Sequence, residues 1–303
     1  MSRLTRFLSS VCSRGVDYRI LPLQQPGFPV AVYWSAKSGC TTVLKWFLTH
    51  NGLLDEARAY SNWVHNYRHE KLFTSKGYGR QCDRLLKNSH RNTYTIKVIR
   101  DPASRAVSSF LHFVRHGHHV EQWPHAALVT QWKSEVGLEH QPGLSFRQFL
   151  MFVISQQINA SVLDPHFRPQ HDAQQDPYVD AYIRLEDLAD GLRDVENRTG
   201  LPHVDIHQLS TSGHHNPATA HHAWPTNAAV VPADYNTLSE LGTPPSEALL
   251  DAETRLLIRS AYGTDYEAYG HHYDAAPTTT LRMPSTDLEK TSKAYSGHLR
   301  RVA

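Results

Sequence analysis

A run of apolar and aromatic residues, Val30-Ala31-Val32-Tyr33-Trp34, leads into a short polar loop, Ser35-Ala36-Lys37-Ser38-Gly39, and on into Cys40-Thr41-Thr42-Val43-Leu44-Lys45-Trp46-Phe47-Leu48. No other stretch constrains the fold as strongly. A continuous apolar, β-branched and aromatic run suits a strand buried on both faces, as in a parallel sheet. Val43, Leu44, Phe47 and Leu48 recur at helical spacing, and Gly52 follows as a stop signal. A small polar loop between such elements points its N–H groups, and the N-terminus of the helix, at one place. With Lys37 they make a cradle for an anion, to which Thr41 and Thr42 add hydroxyl donors. An ordinary capped strand-to-helix turn with a solvated Lys37 satisfies the same pattern, so this junction alone leaves both readings open. It is not a Walker A loop, in which Lys directly follows the last Gly. Here Lys37 precedes Ser38 and Gly39, which disfavours a magnesium-nucleotide kinase.

A second junction runs Thr95-Ile96-Lys97-Val98-Ile99, then Arg100-Asp101-Pro102, then a helical stretch carrying Arg105 and Ser108. Arg100 falls at the carboxyl end of the predicted strand, where open α/β sheets take up ligands. Pro102 suits the first turn of a helix, because its missing N–H costs nothing there. Ala106, Val107, Phe110, Leu111 and Val114 form the buried stripe of that helix. A guanidinium and a hydroxyl held at such a junction suit a phosphate monoester. The bland alternative, an Arg100–Asp101 surface pair, would be worth little. Two such junctions in order predict a ligand with phosphates at both ends. They also predict an α/β fold, a single P-loop-like domain with a central parallel sheet flanked by helices.

At these residues the chain resembles sulfotransferases that use 3′-phosphoadenylyl sulfate (PAPS). Lys37-Ser38-Gly39-Cys40-Thr41-Thr42 resembles their 5′-phosphosulfate loop, and Arg100-Asp101-Pro102-x-x-Arg105-x-x-Ser108 resembles their 3′-phosphate motif. The Gly-Cys-Thr wording is closest to the Golgi-type carbohydrate sulfotransferases and their bacterial relatives. Asp164-Pro165-His166-Phe167-Arg168-Pro169-Gln170 resembles their His-x-x-Pro-Gln segment, and Tyr182-Ile183-Arg184-Leu185-Glu186-Asp187-Leu188 their next strand-to-helix step. Residues 258–273, with Tyr262, Asp265, Tyr266 and Tyr269, resemble the closing helix. Ala36 stands where that family often has Pro, a change in loop stiffness more than in chemistry.

The resemblance implies a donor-binding set of Lys37, Ser38, Gly39, Cys40, Thr41, Thr42, Arg100 and Ser108, with PAPS as co-substrate and no metal. It implies sulfuryl transfer to a hydroxyl of an acceptor, a carbohydrate or glycoconjugate, with Lys37 stabilising charge on the leaving oxygen. It also places the general base between the two phosphate motifs. His65 and His69 occupy that interval, with His50 and His90 less well placed. A histidine has the right intrinsic pKa for the task. His65 is the expected base, because Trp63-Val64-His65 reads as a strand end aimed into the cleft, although a surface histidine carries almost equal weight. Two other readings stand beside this one: a noncatalytic nucleotide- or carbohydrate-binding protein with a sulfotransferase-like core, and an atypical P-loop kinase.

With 303 residues and motifs spread through them, one domain is the simpler division: an N-terminal arm over 1–23, loosely packed, a sulfotransferase domain over 24–275, and a weakly ordered tail over 276–303. A net charge of +2 is too small for bulk nucleic-acid binding. Cys12, Cys40 and Cys82 are too few and irregular for a disulfide framework or a zinc site, and fit a reducing compartment. The apolar stretch between Arg6 and Arg14 is too short to span a membrane. The expectation is a soluble cytoplasmic enzyme, unlike the membrane-anchored Golgi relatives. The 21 histidines include His116-Gly117-His118-His119, His214-His215, His221-His222 and His271-His272. None has the His-Glu-x-x-His spacing or brings a Cys pair, so a solvated or substrate-facing role is expected rather than a metal site.

Elsewhere the pattern predicts a short strand and turn within 55–79, and a loop with helical pieces over the site within 113–143, whose aromatic residues suit either sugar stacking or the core. It predicts a helix over 144–159 burying Phe149, Leu150, Val153 and Ile154, a polar excursion over 203–232, and a helix from 246 to 262.

Overall fold

Three short parallel strands carry the architecture: β1 (Val30–Trp34), β2 (Tyr94–Ile99) and β3 (Ala181–Arg184), in sheet order β1-β2-β3. The computed structural model describes residues 21–86, 93–116, 126–156, 164–210 and 224–273. Between β1 and β2 lie α1 (Cys40–His50), α2 (Leu54–Tyr60), α3 (Val64–Tyr67), a π-helical turn (Arg68–Leu72) and α4 (Tyr78–Leu86). After β2 come α5 (Pro102–His116), α6 (Ala126–Glu135) and α7 (Phe146–Ser155). After β3 follow α8 (Leu188–Thr199), α9 (Ile206–Ser210), α10 (Tyr235–Leu241), α11 (Ser246–Leu249), α12 (Ala252–Ala261) and α13 (Gly263–Tyr269). The α/β expectation holds, with a small sheet and many helices.

The two faces of the sheet differ. Val32 pairs with Ile96, and Val98 with Ile183, so these side chains share one face. They enter a core with Val43, Leu44, Trp46 and Phe47 of α1 and Leu192 and Val195 of α8. On the other face Tyr33, Lys97 and Tyr182 form a row in register. Lys97 is fully buried and its amine pairs with Asp176. Asp176 also accepts from Tyr269 OH and lies 2.7 Å from His171 Nδ1. A buried ammonium without such a partner would be prohibitively costly. A second core forms beside the sheet, where Phe110 of α5, Phe146 and Phe149 of α7, Phe167, and Ile258 of α12 pack together.

Local signals explain most boundaries. Pro102 opens α5 as its N-terminal preference dictates. Ser145 and Gln148 form a reciprocal capping box at the start of α7. Asp251 accepts from Thr254 N–H at 2.8 Å and starts α12 afresh, so the predicted helix over 246–262 is two helices. The predicted closing helix is likewise interrupted at Tyr262, between α12 and α13.

Other expectations change as well. Residues 55–79 hold no strand: Ala57, Val64, Tyr67 and Leu72 reach the first core from helical turns, a period that the three residues Trp63-Val64-His65 are too few to show. The end of the N-terminal arm is firmly packed, since Leu23 is fully buried and exchanges hydrogen bonds with Val32 at 2.8 and 2.9 Å. The helix expected over 144–159 spans Phe146–Ser155, with Ile154 only half-buried. Trp132 lies in the second core, so it offers no platform for a sugar. Within 203–232 the chain forms α9 and a 3-10 turn (Ala228–Val230). Residues 1–20, 117–125, 211–223 and the tail after 273 lie outside the described residues.

The first core contains one polar knot. Trp46 Nε1–H donates to Glu196 Oε1 at 2.7 Å, His50 Nε2 lies 3.1 Å from the same oxygen, and Val204 N–H reaches it at 3.3 Å. Glu196→Ala leaves these groups unpaired in a closed interior, so stability is expected to fall by about 2–4 kcal/mol. Urea unfolding followed by tryptophan fluorescence measures this, and an unchanged midpoint would show that the knot contributes nothing.

Candidate functional site

The loop after β1 is held in an uncommon backbone shape. Lys37 has φ 69°, the one non-glycine residue with positive φ among the described residues, and Gly39 has φ 75°. The left-handed conformation costs an L-residue about 1–2 kcal/mol, so the surroundings must enforce it at Lys37. Gly39 meets a second restriction, because a Cβ there would lie 2.5 Å from Leu185 Cδ1, in the turn after β3. Beyond Gly39, α1 begins with no capping side chain and no acidic residue in its first turn. Its first N–H groups and the positive end of its dipole therefore suit an anion.

Gln170 joins this loop to the second junction. Its Oε1 accepts from Ser35 Oγ at 3.1 Å, Ser38 Oγ at 2.9 Å and Arg100 N–H at 2.8 Å. Its Nε2 donates to Arg100 O at 2.7 Å. The Gln170 and His171 N–H groups in turn donate to Asp265 Oδ1 at 2.7 and 2.8 Å. Asp265 is fully buried; burial pushes its carboxyl up, while Arg105 and these N–H donors act the other way.

The arginines of the second junction reach back to the loop. Arg100 Nη1 donates to Lys37 O at 3.0 Å, and Arg105 Nε to Ala36 O at 2.9 Å. Arg105 is enclosed, lies over the Tyr262 ring with 5.7 Å from Cζ to the ring centre, and has an Nη1 without a partner. Burial lowers the pKa of both guanidiniums. Burial also pushes the Lys37 amine down to about 8; Cys40 opposes this, and Arg115, Arg100 and Arg105 reinforce it. Ser108 is half-buried on α5, on the face that also carries Arg105 and, one turn on, His112.

A cavity of about 240 Å³ between α5, α6 and the Gly143–Leu144 segment shares no residue with this loop. Among the described residues no three His, Cys, Asp or Glu side chains gather as a metal would require, and no helix is long and apolar enough to cross a membrane. A family model described as the sulfotransferase family matches residues 36–274. The chain belongs to the sulfotransferase family. No curated protein and no solved structure matches it.

In this sulfotransferase the predicted site residues fall into three groups. Lys37, Gly39, Cys40, Thr41 and Thr42 form the loop and the first turn of α1, with Arg100 against them. Ser38 is fully enclosed: its N–H bonds Ser35 O at 3.2 Å and its hydroxyl bonds Ser35 and Gln170, so it shapes the loop from behind. His65 lies on α3, not at a strand end, with Nε2 2.9 Å from Thr41 Oγ1. His69 has its Nε2 2.7 Å from Arg68 Nη2; burial and then the Arg68 charge lower its pKa to about 4. That nitrogen is committed to the guanidinium. His50 belongs to the Glu196 knot, and His90 lies outside the described residues.

Sequence reasoning missed Gln170 as the link between the junctions and missed a histidine group at the same end. His112 stacks on His166 with ring centres 3.9 Å apart, and lies 4.4 Å from His116. The spacing of Arg105, Ser108 and His112, three and seven residues along one helix, was the available signal. Replacing Gln170 with Ala strands Ser35, Ser38 and the Arg100 N–H behind the loop. Stability is expected to fall by about 2–3 kcal/mol. Urea denaturation checks this, and a loss below that of a typical exposed-residue change would show that the two junctions hold together without the carboxamide.

Proposed function

We propose that this sulfotransferase moves a sulfuryl group from PAPS to a hydroxyl of a carbohydrate or glycoconjugate acceptor, with no metal taking part. The observation that carries the reading is the junction pair itself: an uncapped helix N-terminus and Lys37 on one side, and Arg100, joined to them by Gln170, on the other. The chain's own groups fit a donor with phosphates on both sides of a nucleoside. Gly39 lets the backbone close around an anion, Thr41 and Thr42 lie in the first turn of α1, and Arg100 and Ser108 suit a phosphate monoester. The loop order argues against ATP, since Lys37 precedes the glycine instead of following it.

Sulfuryl transfer is an in-line displacement at sulfur. As the acceptor oxygen bonds to sulfur, the bond to the 5′-phosphate oxygen breaks and its electron pair stays on that phosphate. Lys37 and the first N–H groups of α1 supply the positive charge that this oxygen calls for. The hydroxyl proton passes to a histidine. The resemblance assigns that role to His65, whose contact with Thr41 Oγ1 sets it beside the donor loop.

Calorimetry with a chelator present is expected to show tighter binding of adenosine 3′,5′-bisphosphate than of ATP. Preference for ATP, or a requirement for magnesium, would favour a kinase. Arg100→Ala is expected to weaken the bisphosphate by about 1.5–3 kcal/mol, and adenosine 5′-phosphate far less. Equal weakening of both ligands would mean that the change only disturbs the fold.

Lys37 adds a pH dependence of known sign. With its pKa lowered to about 8, the amine is charged below that pH and neutral above it. Bisphosphate affinity is therefore expected to fall as pH rises through that value, the bound anion moving the fall upward. Lys37→Arg, charged throughout, should flatten the dependence. An identical fall in Lys37→Arg would assign it to another group.

A further inference from the structure

Asp164, His166, His112 and His116 form a chain of contacts along α5, with His112 near Lys37, apart from the groups that hold the loop. His166 begins the turn that ends at Gln170, and its placement is fixed from several sides. Its Nδ1 lies 2.6 Å from Asp164 Oδ1, and its backbone N–H donates to the same oxygen at 2.8 Å. Ser109 Oγ–H donates to its carbonyl at 2.6 Å. Its ring lies against His112 with 27° between the planes.

Exposure separates the members of this group. Asp164 is 5% exposed, whereas the His166 side chain keeps 35%. An enclosed carboxylate holds Nδ1 as the N–H nitrogen, which leaves the lone pair on Nε2. This is the arrangement of a general base with an orienting partner. His112 connects the pair to the donor loop. Burial pushes its pKa far down, and the charges of His166, Lys37, His116 and Arg115 act in the same direction, so it stays neutral between His166 and Lys37. His65, by contrast, is 4% exposed with Nε2 on the Thr41 hydroxyl. A base must be reachable by the acceptor, and a buried ring occupied by the donor loop is poorly placed for that.

We propose that His166, oriented by Asp164, takes the proton of the acceptor hydroxyl, and that His65 positions Thr41 in the donor loop. The proposal rests on the sulfuryl-transfer reading. As the hydroxyl oxygen bonds to sulfur its O–H bond breaks, and the proton goes to His166 Nε2 to give an imidazolium facing the Asp164 carboxylate. The electron pair of the broken S–O bond leaves with the phosphate oxygen, and His166 returns its proton to solvent. The titratable groups in contact with it are Asp164 on its own turn and His112 on α5, and His112 in turn lies among Lys37, His116 and Arg115.

The test follows release of adenosine 3′,5′-bisphosphate from PAPS by the full chain, with water or a methyl glycoside supplying the hydroxyl, across pH. His166→Asn is expected to cut turnover by about 10²–10⁴-fold and to erase the acid limb, with bisphosphate still bound by calorimetry. Asp164→Asn removes the charge that favours the imidazolium, so the acid limb should move to lower pH, which a merely structural role would not produce. Added imidazole should restore turnover to His166→Ala, a readout that holds even if the Asn variant folds poorly. His65→Asn should weaken bisphosphate binding and leave the limb in place. Near wild-type turnover in His166→Asn, or a limb erased by His65→Asn alone, overturns the assignment while sulfuryl transfer stands. A wild-type protein that neither binds the bisphosphate nor consumes PAPS overturns the donor reading itself.

Discussion

The carboxamide of Gln170 is the interaction on which the site depends. Each strand-to-helix junction is a local event, built from an apolar run, a few small residues and a helix start. The β1–β2 pairing brings the two strand ends side by side. Gln170 locks the loops that follow, because its oxygen takes donors from Ser35 and Ser38 on one side and Arg100 on the other, and its nitrogen returns a bond to Arg100 O. A buried amide with all its bonds made contributes modestly, while one left half-satisfied costs more than it gave, so this link acts nearly all or none. Asp265 braces this link from α13, which ties that helix to both junctions through Gln170.

The polar face of the sheet serves the same end. The segment after Gln170 passes over the Tyr33–Lys97–Tyr182 row and ends in Asp176, which pairs with Lys97. A buried ion pair adds little net stability compared with an apolar substitute, but its geometry admits few alternatives. The turn carrying His171 and Asp172 is therefore held to the central strand by charge and to α13 by Tyr269, where a conventional α/β unit would have used a packed helix. A sheet of three strands thus stays small without exposing its second face.

Much of this was legible, and the reasons differ by element. The β1 and β2 runs and the starts of α1 and α5 are written in unbroken apolar stretches and in punctuation such as Pro102, signals that act over a few residues. The α3 helix was not legible, because Trp63-Val64-His65 is shorter than one helical turn and fits a strand end equally well. The break at Tyr262 was hidden for a tertiary reason: the chain turns there to place Tyr262 under Arg105 and Asp265 under Gln170. Motif matching found Arg105 but not its task, since an arginine three residues after Pro102 looks the same whether it faces a phosphate or the Ala36 carbonyl. The pairing of His112 with His166 joins residues from separate segments, and only packing creates it.

The contact between Gly39 and Leu185 has a consequence for reshaping the loop by mutation. The mould of the loop is made partly by a side chain from the turn after β3, a residue that belongs to neither phosphate motif. Trimming Leu185 would open room behind Gly39 without changing any residue of the loop, whereas enlarging it would press the loop forward. The two positions form one unit in any directed-evolution library, and randomising the motif residues alone would sample the loop's chemistry while leaving its shape untouched.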